Sequence, residues 1–198
     1  MKKRAVVFLF FLFTICKLSY ADQPLNWYQG SLVLRDNTVL TGDISMESQH
    51  DLVLFRTDGK VNVYPAYKIA AVYYYDPLAN VNRRFLTLKT ENDQWHPIHL
   101  YEVVLKGEIS VIRKLKALAV ESYCSAYDYD YFLVTNGGVI KLERFRKIVY
   151  PEILKEAGVS LSVYVRENKL DPNESAAAIQ IVDHYNHMRK SETIMARY

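Results

Sequence analysis

Short apolar runs separated by turn residues fill the stretch from Trp27 to Asp76. Leu32-Val33-Leu34 is followed by Arg35-Asp36-Asn37, Val39 to Ile44 by Gln49-His50-Asp51, and Leu52 to Phe55 by Thr57-Asp58-Gly59; Val61 to Tyr64 and Ile69 to Tyr75 complete the series. Runs of this length, rich in Val, Ile, Leu and Tyr, predict strands. Asp-Gly between two of them predicts a tight hairpin, because glycine accepts the positive φ such a turn demands. Five strands in so short a segment predict a meander or a small curled barrel.

The pattern continues with Arg84 to Lys89, His99 to Lys106, Val111 to Ala119, Tyr131 to Thr135 and Val139 to Leu142. Gly107-Glu108 and Asn136-Gly137-Gly138 supply turn chemistry between neighbours. No Pro- or Ser-rich linker divides the two regions, so residues 22–142 read as one β-rich body. In outline the first five strands resemble SH3-like or Sm-like barrels, without a motif diagnostic of either.

From Glu143 the period changes. Leu142, Phe145 and Val149 share a helix face, Pro151 kinks that helix or starts a new one running to Ala157, and Gly158 is placed as its stop. Val159 to Val165 suits a strand and a helix equally. Asp171-Pro172-Asn173-Glu174 then offers an N-cap aspartate, a proline at the first helical position and a glutamate three residues on. Ala178, Ile181, Val182, Tyr185 and Met188 follow as one apolar stripe, which must pack on the β body. The expected class is α+β: a β-rich body with a helical region, 143–198, packed on it as one continuous domain.

The first 21 residues stand apart. Lys2, Lys3 and Arg4 precede the apolar run Ala5 to Ile15, and Ser19-Tyr20-Ala21 closes the segment as a small-x-small cleavage site. That is the layout of a signal peptide, and the run is shorter than the ~20 residues a membrane-spanning helix needs. Lipidation at Cys16 competes with this reading, but Phe13-Thr14-Ile15 lacks the small residue that such processing wants before the cysteine. The segment carries four of the 25 basic residues and none of the 22 acidic ones, so the mature chain holds 21 against 22, a formal net charge of −1. That balance gives no support to nucleic-acid binding, which needs concentrated Lys and Arg. With Cys16 removed, Cys124 is the one thiol left and has no partner for an internal disulfide.

The run from Tyr131 through Asn186, with its strand pair about Asn136-Gly137-Gly138, then Leu142 to Phe145, Asp171-Pro172 and a last helix carrying Tyr185-Asn186, resembles uncharacterised exported proteins of Bacteroidota-type bacteria. The resemblance implies a periplasmic or cell-envelope setting and favours a helix at Val159 to Val165. It brings no known activity.

Candidate chemistry is sparse. The chain has no Gly-x-Ser-x-Gly elbow, His-Glu-x-x-His pair, phosphate loop or Cys-x-x-Cys motif, and no spacing that implies a cofactor. His184 and His187 lie three apart beside Asp183, a spacing at which two imidazoles can share a metal; the ordinary alternative is a solvated helix face. His96 and His99 repeat the spacing about Pro97 in a turn, where a surface or packing role is expected. Asp128 and Asp130 alternate with Tyr127, Tyr129 and Tyr131, so an extended chain puts the carboxylates on one face and the three rings on the other, either as core or as a platform for a glycan or a partner strand. Arg83-Arg84 is a candidate clamp for a phosphate or carboxylate. These features point to an exported, non-catalytic interaction or structural protein of the cell envelope, with an unrecognised hydrolase of envelope glycans or peptides as the alternative.

The mature protein purified from its native host should begin at or near Asp22. N-terminal sequencing checks this; a lipidated Cys16 or an uncleaved Met1 would overturn it.

Overall fold

A computed structural model describes residues 25–89, 98–116, 125 and 128–195. Ten strands in these residues form one antiparallel sheet: β1 (Tyr28–Leu34), β2 (Val39–Glu47), β3 (Leu52–Thr57), β4 (Lys60–Pro65), β5 (Ile69–Asp76), β6 (Val81–Lys89), β7 (Ile98–Leu105), β8 (Ser110–Leu115), β9 (Tyr129–Thr135) and β10 (Gly138–Lys141). Two helices follow, α1 (Phe145–Glu167) and α2 (Ser175–Met195). The α+β class expected from the pattern is the one adopted. The expected signal segment, the part of the expected Val111 to Ala119 strand beyond Lys116, and Tyr127, His96 and Cys124 lie outside the described residues.

The strand order is β10-β9-β8-β7-β6-β5-β1-β2-β3-β4. Only a short 3₁₀ turn, Ala66–Lys68, joins β4 to β5, although three strands stand between them in the sheet. On a flat sheet that gap would be ~19 Å at ~4.8 Å per strand, whereas three extended residues reach only ~10 Å. The first half of the sheet must therefore curl until the end of β4 returns beside β5. Leu32, Ile44, Val53, Phe55, Ile69, Val72, Phe85 and Leu100 fill the inside of the curl, each nearly or fully buried.

A second core lies further along the same sheet face. Val111 and Leu133 from β8 and β9 meet Phe145, Val149, Ile153, Leu161 and Val165 of α1 and Ala178, Ile181, Val182 and Tyr185 of α2. Four positions of the expected stripe of α2, Ala178, Ile181, Val182 and Tyr185, are thus buried, against the other helix as well as the sheet, while Met188 is half-buried. Val159 to Val165 is helical. The backbone leaves helical geometry at Gly158 (φ 61°, ψ −136°), a conformation open to glycine, and so α1 is two helical segments meeting at an angle. At the start of α2, the Asp171 carboxylate accepts the Asn173 N–H at 2.9 Å. The Glu174 N–H bonds the Asp171 carbonyl, and α-helical bonding begins only with Ala178 N–H to Glu174 carbonyl, so Asp171 closes a turn ahead of the helix and is not its N-cap, and Pro172 is not its first residue.

A buried polar side chain helps to fix where α2 docks. Asn186 is buried; its amide donates to the Ile109 carbonyl at 2.8 Å and accepts the Ile109 N–H at 3.0 Å. Both backbone groups of a buried residue beside β8 are thereby satisfied by a helix 77 positions away. Gly107 is the counterpart, since a Cβ there would run into the Asn186 amide.

Asn186→Leu should leave both Ile109 groups unpaired and cost about 2 kcal/mol. For a domain of this size that corresponds to a fall of roughly 4–8 °C in Tm. Calorimetry of this variant and of Gly107→Ala checks the point; a pair of melts indistinguishable from wild type would contradict it.

Candidate functional site

The two cores share one face of the sheet, and between them runs a row of charged side chains. Register places Phe85 opposite Glu102 and Glu102 opposite Arg113, so Arg83, Phe85, Leu100, Glu102 and Arg113 all point to that face. Arg83 on β6 donates from Nε to Asp76 on β5 at 2.8 Å and from Nη1 to Glu102 on β7 at 2.7 Å. The other Glu102 oxygen accepts Nε of Arg113 on β8 at 2.7 Å. The Arg113 guanidinium lies over the Tyr129 ring of β9, 4.1 Å from its centroid. Five adjacent strands each contribute one member.

These groups are largely withdrawn from water, with side-chain exposures of 8% for Asp76, 11% for Glu102, 20% for Arg83 and 22% for Arg113. Burial works against the charge of Asp76, but the Arg83 hydrogen bond and the backbone N–H groups of Ala79 and Leu78 outweigh it and hold the carboxyl below the usual carboxylate range. Burial likewise opposes the charge of both arginines, and their carboxylate partners reverse it, so each guanidinium is held above its ordinary value.

The row forms the polar wall of a cleft of about 420 Å³. Tyr28, Tyr74, Phe85 and Leu100 supply apolar lining, and Lys114 reaches in from β8. Tyr28 stacks on Tyr74 at 4.7 Å, and Tyr74 on Phe85 at 5.8 Å. Lys114 belongs to a second cluster: its Nζ lies 2.7 and 2.9 Å from the Asp51 oxygens and 2.7 Å from His99 Nδ1. Asp51 also accepts the Leu100 N–H at 2.8 Å, which ties the β2–β3 turn of the curled half to β7 and β8.

The sequence candidates scatter over this framework. Arg83 is in the row, but Arg84 is not its partner: successive strand residues face opposite ways, and Arg84 lies over Tyr73 on the other side, 5.3 Å from the ring centroid. The two arginines therefore form no single clamp. Tyr129 lines the cleft under Arg113, while Tyr131 packs on the helical core, so these rings are half-buried and do not stand as an open platform. Asp128 accepts the Ser125 N–H and hydroxyl at 2.7 and 2.8 Å, and the backbone bond holds its carboxyl below the usual range. His184 is stacked face to face on Tyr164 at 3.7 Å, and His187 contacts its own helix at Asp183. Among the described residues no group of three or more His, Cys, Asp or Glu converges as a metal site, and no helix is long and apolar enough to cross a membrane.

Sequence reasoning missed Asp76, Glu102, Arg113, Lys114 and Asp51. The signal was present: Glu102 and Arg113 interrupt strands at positions whose same-face neighbours, Leu100, Val111 and Leu115, are apolar and buried. No family model matches the chain, and searches of curated proteins and of solved structures return no similar protein.

Because the folded Asp76 titrates below its unfolded value of about 4, its contribution to stability is complete above that pH and is lost as pH falls through the lowered value. Thermal melts across an acid series should therefore show a steep loss below about pH 4 that is shallower in Asp76→Asn. Identical acid slopes in the two proteins would contradict it.

Proposed function

We propose that this chain is an exported, non-catalytic interaction protein of the cell envelope, and that the cleft beside the ion-pair row is its recognition surface. The observation that carries the reading is the commitment of the row's acids and bases to one another. Glu102 is shared by two guanidinium groups, and Asp76 is held ionised by Arg83 and two backbone N–H groups. A carboxyl in that state neither gives up a proton near neutral pH nor accepts one readily, so the arrangement suits binding better than acid–base chemistry. Export is supported by the charged, apolar and small-residue succession of the first 21 residues and by the resemblance to exported Bacteroidota-type proteins.

The cleft combines fixed charged groups with aromatic and aliphatic walls, the mixture by which a recognition site gains both area and orientation. Its partner is a glycan or a protein of the envelope.

The mature chain should co-sediment with isolated envelope fractions. Tyr129→Ala should reduce retention by about fivefold or more, the effect of ~1 kcal/mol, while Arg84→Gln on the opposite face should leave it unchanged. Equal loss in both variants, or no retention of the wild type, would overturn the assignment of the cleft. Release of soluble sugars or peptides from the fractions would establish the hydrolase alternative.

A further inference from the structure

We infer that the cleft takes a neutral, polyhydroxylated ligand, a glycan chain lying across strands β5 to β9 along the row from Asp76 to Tyr129. The inference rests on the reading of the cleft as a recognition surface and names the chemistry it recognises.

Charge is the first argument. The three cationic side chains that line the cleft each meet a carboxylate: Arg83 meets Asp76 and Glu102, Arg113 meets Glu102, and Lys114 meets Asp51. The row itself balances, two guanidinium groups against two carboxylates. An anionic ligand would have to pull a cation away from its partner and leave a partly buried carboxylate uncompensated. A neutral ligand adds its hydrogen bonds without breaking any pair.

The second argument concerns the backbone. Each of β5 to β9 has a hydrogen-bonded neighbour on both sides, and where β7 and β8 part beyond Glu102 and Arg113 the Leu100 N–H is taken by the Asp51 carboxylate. A peptide that binds by adding a strand needs a free edge, which this floor does not offer. Recognition here must come from side chains.

The side chains alternate in a way that fits hydroxyl groups. Crossing the strands, the row presents acceptor, donor, acceptor, donor and then a ring, one per strand at the ~4.8 Å separation of a sheet. A hydroxyl donates one hydrogen bond and accepts two, so a ligand hydroxyl can give to a carboxylate and take from the adjacent guanidinium. Each guanidinium has five donors and each carboxylate about four acceptor sites, more than the row's own bonds consume. The half-buried rings of Tyr28 and Tyr129 supply the apolar surface against which the C–H faces of a sugar ring pack. The volume, about 420 Å³, lies in the range of small-molecule sites.

The test is calorimetric titration of the mature chain with chitohexaose and maltohexaose as neutral probes, polygalacturonate as the anionic comparator and a cell-wall stem peptide as the third. At least one neutral probe should bind, with an affinity that is the same at low and high salt. Arg113→Lys keeps the charge opposite Glu102 but loses the planar fork and its stacking on Tyr129, so it should weaken that binding about tenfold, or ~1.4 kcal/mol, at an unchanged Tm. The salt series on wild type needs no variant and decides the ligand class even if Arg113→Lys proves unstable. Salt-sensitive binding of polygalacturonate alone, or of the stem peptide alone, would overturn the glycan class and leave the cleft as a recognition surface. Failure of every probe while envelope fractions still retain the protein through Tyr129 would do the same. Failure of both measurements would overturn the recognition reading as well.

Discussion

Glu102 holds two arginines at once, and the rest of the sheet is organised about that fact. A sheet of ten strands with helices over one end presents two separate apolar cores on a single face, and the face between them cannot be apolar without merging the cores or lying open to water. The chain places charges there and satisfies them strand by strand, from Asp76 through Arg83, Glu102 and Arg113 to the ring of Tyr129. Removing one member would leave its neighbour charged and poorly hydrated, a cost of several kcal/mol that neither core could share. The cleft exists because this seam is polar: side chains that must keep their hydrogen bonds to one another cannot collapse onto each other as aliphatic groups do.

Much of the architecture is legible in the chain. Alternation of apolar and polar residues between turn signals locates all ten strands, because a strand half-buried in an antiparallel sheet has no other way to satisfy both of its faces. The helix break at Gly158 and the turn closed by Asp171 are equally local in origin. The site is less legible. Arg83 and Arg84 look like a pair in sequence, yet the strand period separates them by the thickness of the sheet. Glu102 looks like a stray charge in the apolar run Ile98 to Leu105 until register sets it between two arginines from other strands. Partners 11 and 19 positions away are invisible to any pattern that reads one segment at a time.

The helical end obeys a different constraint. Apolar side chains on α1 and α2 supply most of its adhesion, but apolar contact is indifferent to a slide of one turn. Asn186 is specific, since its amide matches the N–H and C=O of a single residue, Ile109, and Gly107 leaves it the room to do so. Tyr185 works alongside it, with its ring buried and its hydroxyl bonded to Glu156 on α1. Two polar contacts therefore set the position of a helix that hydrophobic area alone would hold loosely.

The placement of β1 between β2 and β5 carries a consequence for how the chain leaves the ribosome. β1 emerges first and finds β2 at once, but its other edge has no partner until roughly 40 more residues, through Asp76, have been made, a wait of seconds at about 5–20 residues per second. Hairpin closure takes only ~1–10 μs, so β1 to β4 are paired long before then and offer an unprotected strand edge to any neighbour. Nascent chains of this protein are most vulnerable to mutual association in that interval. A holding chaperone that engages the segment before β5 appears would act where the topology leaves the chain exposed.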